Sequence, residues 1–124
     1  MADDPRHASG RWAEDAALAY LQSQGLVLLT RNFRCRFGEI DLVMRDHSAL
    51  VFVEVRFRRS DRFGSGAASI THAKRRRLIT AARHYLAGIG RHPLPPCRFD
   101  VVSVSQPNYR TDFEWIRDAF TEDG

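Results

Sequence analysis

Two strand-like runs, Phe37 to Arg45 and Ala49 to Phe57, are separated only by Asp46-His47-Ser48. A connection that short turns the chain back alongside itself, so the two runs are expected to be antiparallel neighbours in a hairpin. Both are rich in Val, Leu, Ile and Phe, and both are interrupted by acid. Asp41 sits in Gly38-Glu39-Ile40-Asp41-Leu42-Val43, and Glu54 in Val51-Phe52-Val53-Glu54-Val55-Arg56. A carboxylate inside an apolar hairpin costs free energy unless a cation or hydrogen-bond donors compensate it.

The rest of the chain supplies layers to cover that hairpin. Ala13, Ala16, Ala17, Tyr20 and Leu21 recur at helical spacing between Arg11 and Ser23, with Gly25 placed to cap the C-terminus. Leu26 to Asn32 reads as a first strand entering from an edge. Ser60 to Ser69, with Gly64, Ser65 and Gly66, reads as a loop, and Thr71 is placed to cap a second helix from Ala73 to Ala87. Leu78, Ile79, Ala82, Tyr85 and Leu86 form its apolar stripe, and Gly88 and Gly90 end it. Pro93, Pro95 and Pro96 stiffen the connection to a strand from Arg98 to Ser105; a short strand from Phe113 to Ile116 and a terminal turn through Ala119 and Phe120 follow. The order is α-β-β-β-α-β-β. A helical crossover between the third and fourth strands makes those two parallel, which gives an α/β fold with a mixed sheet flanked by helices.

A chain of 124 residues supports one domain, and 44% hydrophobic with 27% charged residues is the balance of a folded protein. The domain is read as residues 10–120, with an irregular tail at 1–9 and a short acidic one at 121–124. Nineteen Lys and Arg against fifteen Asp and Glu give a net charge of +4, concentrated at Arg56, Arg58, Arg59 and Arg62 and again at Lys74, Arg75, Arg76 and Arg77. Arginine's planar fork suits phosphate, which makes nucleic acid the expected partner, although the second cluster also fits a solvated helix face. Cys35 and Cys97 are far apart, and the start of the chain does not resemble a secretory signal, so a reduced cytoplasmic setting is expected. No apolar run approaches the roughly 20 residues that cross a bilayer. The five histidines show no zinc-ligand spacing with either cysteine.

On the second strand of the hairpin, Glu54 and Arg56 share a face. With a tight turn and a modest offset in register, Asp41 comes beside Glu54. Two close carboxylates repel and raise one pKa unless a cation lies between them, and Mg2+ or Mn2+ suits such oxygen ligands. Glu14 on the first helix is a third acid that could lie over the sheet end, with Asp15 pointing elsewhere. The bland alternatives are a salt-bridged pair, with Glu54 held by Arg56 or Arg58, and an ordinary exposed Glu14. Glu39 reads as a turn or surface acid. Asp100 could be a fourth acid near the site, but reads rather as a structural acid buried against an arginine such as Arg98. Trp12, Phe33, Phe37, Tyr109 and Trp115 read as core or edge packing, and Phe63 as a residue that could stack on an unpaired base.

Glu14, Asn32, Gly38-Glu39-Ile40-Asp41-Leu42, Phe52-Val53-Glu54-Val55-Arg56-x-Arg58, Lys74, Arg98-Phe99-Asp100-Val101-Val102 and Ala119-Phe120 together resemble the YraN-like family of small bacterial proteins. That family's fold looks like that of restriction endonucleases and archaeal Holliday-junction resolvases. The resemblance covers nearly the whole chain. It implies a restriction-endonuclease-like single domain, a metal site at Asp41 and Glu54 with Glu14 as an additional acid, and branched or damaged DNA as substrate. A homodimer fits the likeness to resolvases. This chain departs from the PD-(D/E)xK nuclease pattern at Arg56, where that pattern has lysine. Arg56 supplies fixed charge, which leaves water activation to the cation, with Lys74 as a second source of positive charge. Arg58, Arg59, Arg62, Lys74, Arg75 and Arg76 are the expected contacts to DNA. The alternatives are a nucleic-acid-binding module that has kept the fold without the chemistry, and an adaptor whose basic face meets an acidic protein.

Overall fold

His47 and Ser48 alone reverse the chain between β2 (Gly38–Asp46) and β3 (Ala49–Arg58). His47 takes a left-handed conformation (φ 56°), as tight hairpin turns that match strand twist require. Asp46, expected in the turn, instead closes β2 by pairing with Ala49. The computed structural model describes residues 5–58, 70–106 and 110–122, with side chains from Gly10 onward. The expected Gly-Ser loop, Arg59, Arg62, Phe63 and Tyr109 lie outside the described residues.

The remaining elements follow the expected order: α1 (Pro5–Ser23), β1 (Val27–Cys35), the β2–β3 hairpin, α2 (His72–Ile89), β4 (Cys97–Ser105) and β5 (Asp112–Phe120). The sheet runs β1-β2-β3-β4-β5, with β3 and β4 parallel and every other neighbour antiparallel. α1 begins at Pro5 rather than Arg11, and proline's fixed φ suits a first helical turn. Its C-terminus closes as a Schellman motif. Leu26 N–H donates to Leu21 O (3.1 Å) and Gly25 N–H to Gln22 O (3.0 Å), with Gly25 at φ 98°.

The helices cover opposite faces. Ala13, Ala17 and Leu21 of α1 pack on Leu42, Met44, Val51, Val53, Val102 and Val104. Leu78, Ile79, Ala81 and Ala82 of α2 pack on Ile40, Val43, Leu50, Phe52, Phe99 and Phe120. Alanines on the inner side of α1 let its backbone lie close to the sheet. Each large side chain buried between the layers contributes on the order of 1.5–3 kcal/mol.

Besides a register shift in β1 between Leu28 and Thr30, two departures from regular strands shape the molecule. The first lies at Asn32 and Asp41, the step that the β1–β2 ladder skips. Arg31 and Leu42 are cross-strand partners and face α1, whereas the next partners in the ladder, Phe33 and Ile40, pack with α2. Side-chain alternation slips between them, where Asn32 takes φ 56°, a conformation asparagine tolerates better than most residues.

The second departure is in β5. The expected short strand and terminal turn are one continuous strand carrying a bulge opposite Asp100, with Asp118 at φ 51°. The buried Asp100 carboxylate accepts from Asp118 N–H (3.0 Å), Trp115 Nε1 (2.9 Å) and Arg98 Nε (3.0 Å), and Arg98 Nη2 reaches Asp46 (2.9 Å). Asp100 is therefore the structural acid paired with Arg98 that its sequence context implied.

Candidate functional site

The β2–β3 ladder ends at Leu42 and Val53, and one step further along the same register brings Asp41 opposite Glu54. No offset is needed. In place of a further ladder bond, the Asp41 side chain takes over: its Oδ2 accepts from Val55 N–H at 2.8 Å. Glu54 is 5% exposed. Lys74 descends from α2 to place Nζ 2.6 Å from Glu54 Oε1. Thr71 fixes that geometry, because its hydroxyl caps α2 by accepting from Lys74 N–H (3.1 Å).

Burial pushes the Asp41 carboxyl up to about 8, and the neighbouring Glu54 charge adds to the shift, while the Val55 hydrogen bond and Lys74 oppose it. Asp41 is thus a group that a bound cation would help to ionise. Two cavities meet here. One of about 350 Å3 opens toward Gly10, Glu14, Arg56 and Phe57, and one of about 210 Å3 opens toward Gly38, Glu39 and Arg77; both are lined by Asp41, Glu54 and Lys74. The carboxylate pair therefore lies where two openings join.

Among the described residues no cluster of three or more His, Cys, Asp or Glu side chains is grouped to hold a metal. Two carboxylates with room around them remain a fitting donor set for Mg2+, which takes one or two protein carboxylates and fills its other positions with water or phosphate. Zinc, which wants four nitrogen or sulfur ligands in structural sites, finds no such set there.

The other predicted site residues are distributed unevenly. Glu14 reaches the larger cavity, but its carboxylate is held by Arg31 Nε at 3.0 Å. Asp15, expected to point elsewhere, shares that arginine. Arg56 lines the same cavity without forming an ion pair among the described residues, so the cation on Glu54 is Lys74 and neither Arg56 nor Arg58. Arg58 has a buried Nη2 without a hydrogen-bond partner among the described residues. Arg75 turns inward, with Nε donating to Ile70 O (3.2 Å) and its guanidinium 5.6 Å from the Phe120 ring centre, whereas Arg76 stays exposed. Glu39 is an exposed acid beside Arg34 (3.4 Å).

Three features escaped the sequence reading. Arg31 neutralises Glu14, Arg77 lines the smaller cavity, and Phe37 stands 43% exposed at the β1–β2 turn. Trp12, Phe33 and Trp115 pack as expected, against Phe57, Tyr85 and Tyr20 respectively. The Arg36-Phe37-Gly38 sequence was the available signal, since an aromatic between a cation and a glycine at a turn has little core to reach. A larger concavity, about 400 Å3, lies elsewhere, between α2, Leu94 and Phe99. Its wall is mainly apolar, so the paired carboxylates mark the smaller openings as the chemical site.

Residues 13–104 match the model of a family described as Uncharacterised protein family UPF0102. The UPF0102 protein NE0719 of Nitrosomonas europaea is 60% identical over 114 residues, covering 91% of this chain and 93% of that protein. The UPF0102 protein RSc3265 of Ralstonia nicotianae is 56% identical over 119 residues, covering 91% and 86%. A UPF0102 protein of Saccharophagus degradans is 50% identical over 113 residues, covering 91% and 92%. With its site-bearing hairpin and both helices' core residues inside the matched span, this chain belongs to the UPF0102, or YraN-like, family.

Proposed function

We propose that this protein is a Mg2+- or Mn2+-dependent DNA endonuclease acting on branched or damaged DNA. The observation that carries the reading is the convergence of Asp41, Glu54 and Lys74 at the junction of two openings in a basic molecule. The resemblance to restriction-endonuclease-like proteins supplies the reaction class, and fold likeness alone would not. When bound, the cation supplies Lewis acidity toward water and phosphate oxygens. Asp41 and Glu54 would hold it. Lys74 places fixed positive charge beside Glu54, where negative charge grows on a phosphate under attack. Arg56 adds charge at the wall of the larger cavity. Glu14, neutralised by Arg31, positions the α1 side of that cavity.

The test is cleavage of labelled linear, flapped and four-way-junction DNA in Mg2+ and in Mn2+. Asp41→Ala and Glu54→Ala are expected to abolish cutting. Lys74→Ala is expected to slow it by about 100-fold, the range in which single electrostatic stabilisers act, and Arg56→Ala by less, because Arg56 lines the cavity wall without pairing to either carboxylate among the described residues. Equal cutting by wild type and both carboxylate variants would sink the proposal.

One observation favours a second reading. Glu54 is already neutralised by Lys74 at 2.6 Å, an arrangement that also stabilises a domain without a cation. A non-catalytic DNA-binding module of the same fold would bind in EDTA, lose affinity steeply with salt and cut nothing.

A further inference from the structure

The tip of the β1–β2 hairpin carries an exposed aromatic among cations. Arg34, Arg36 and Phe37 are exposed, and the Arg36 guanidinium lies 5.2 Å from the Phe37 ring centre. The same ring also meets α2, where the His84 ring centre lies 5.0 Å away. Gly38, the next residue, sits so close to α2 that a Cβ there would stand 3.3 Å from Arg77 O. That tight approach fixes the tip against the helix. Gly38 and Arg77 also line the smaller cavity, whose floor is Asp41, Glu54 and Lys74.

Lys74, Arg77 and His84 follow helical spacing along α2, from the carboxylate pair to the Phe37 ring. Ten residues of helix span about 15 Å, room for a few nucleotides of one strand. An aromatic left 43% exposed offers a base a stacking surface whatever the base's identity, and flanking arginines suit its phosphates. Such a ring needs an unpaired base, since the bases of an intact duplex already stack on one another. Glu39 offsets part of Arg34's charge, at 3.4 Å, which leaves Arg36 and Arg77 as the stronger phosphate partners.

We infer that Phe37, with Arg36 and Arg77, is a docking surface for a single-stranded segment of DNA that leads through the smaller cavity to the Asp41–Glu54 pair. The inference rests on the proposed nuclease site and adds a substrate class to it: DNA with an unpaired strand beside the scissile position. Phe37 then acts as a specificity residue that holds a base.

The experiment measures binding without cleavage, in EDTA at low salt, with a short single-stranded DNA carrying 2-aminopurine and with a blunt duplex of the same sequence. Wild type is expected to bind the single strand and quench the 2-aminopurine by stacking. Phe37→Ala should raise the single-strand Kd about tenfold and lose the quench, Phe37→Tyr should restore both, and duplex affinity should stay about unchanged. Circular dichroism of Phe37→Ala confirms that this surface substitution leaves the fold intact. No binding of the single strand by wild type, no effect of Phe37→Ala, or an equal loss for strand and duplex would overturn the inference. Cleavage that depends on Asp41 and Glu54 but not on Phe37 would overturn it while leaving the nuclease reading standing. Stacking without any cleavage would do the reverse.

Discussion

Asp41 carries the strongest conflict between stability and chemistry in the molecule. An unfolded aspartate titrates near 3.9, whereas burial and Glu54 push the folded group up to about 8. Between those values the folded chain holds a proton that the unfolded chain has released. Stability from this group is therefore present at low pH, falls as pH rises through the window, and is lost above about 8. Asp41→Asn keeps an acceptor for Val55 N–H and removes the charge. In EDTA the variant should be more stable than wild type, by a margin in Tm that grows as pH rises and levels off above about 8. Thermal melts of both proteins across that pH range measure it. A margin that shrinks with rising pH would contradict the assignment.

The elements are held to one another by a small number of buried polar contacts, of which the Asp100 cluster is the most complete. It ties β4 to the bulge of β5 through Asp118 N–H and Trp115, and through Arg98 it reaches Asp46 at the hairpin turn. Removing a buried carboxylate that satisfies three donors leaves those donors unpaired. Asp100→Ala should cost about 3 kcal/mol in urea unfolding, with a shift in Trp115 emission as its indole loses its acceptor. A cost below about 1 kcal/mol would show that β5 is held by its ladder and by Phe120 instead. The same strand shows where sequence reading ran out. Phe113 to Ile116 read as a short strand and Ala119 and Phe120 as a terminal turn, but a bulge with left-handed Asp118 carries one strand through both. By contrast, the β2–β3 hairpin and the parallel pairing of β3 with β4 were legible, because a connection of a few polar residues and a helical crossover each leave one simple geometry. The start of α1 was missed although Pro5 is a usable signal for a first helical turn.

Across the whole molecule, the site is a product of topology. Parallel strands β3 and β4 bring the start of α2 over Glu54, α1 covers the opposite face, and the slip at Asn32 and Asp41 lets β2 change faces beside its neighbour. The sequence placed Asp41 beside Glu54 because local strand pairing dictates it. It did not reveal that Arg31 neutralises Glu14 or that Phe37 stands exposed at the β1–β2 turn, since both depend on how α1, α2 and the β1–β2 hairpin dock. Lys74 was legible as a cation at the start of α2 that reaches into the site; that it lands on Glu54 follows from the cap at Thr71 and the packing of α2. Relatives sharing half or more of their residues with this chain cover nearly all of it, so the arrangement can be tested in several of them in parallel. The most direct measurement is Mn2+ binding followed by electron paramagnetic resonance, at a pH above 8, for wild type, Asp41→Asn and Glu54→Gln. If the carboxylate pair is a cation site, wild type will bind one ion per chain and both variants will lose it. Equal binding by all three, or none by wild type at millimolar Mn2+, would contradict the assignment of Asp41 and Glu54 as metal ligands.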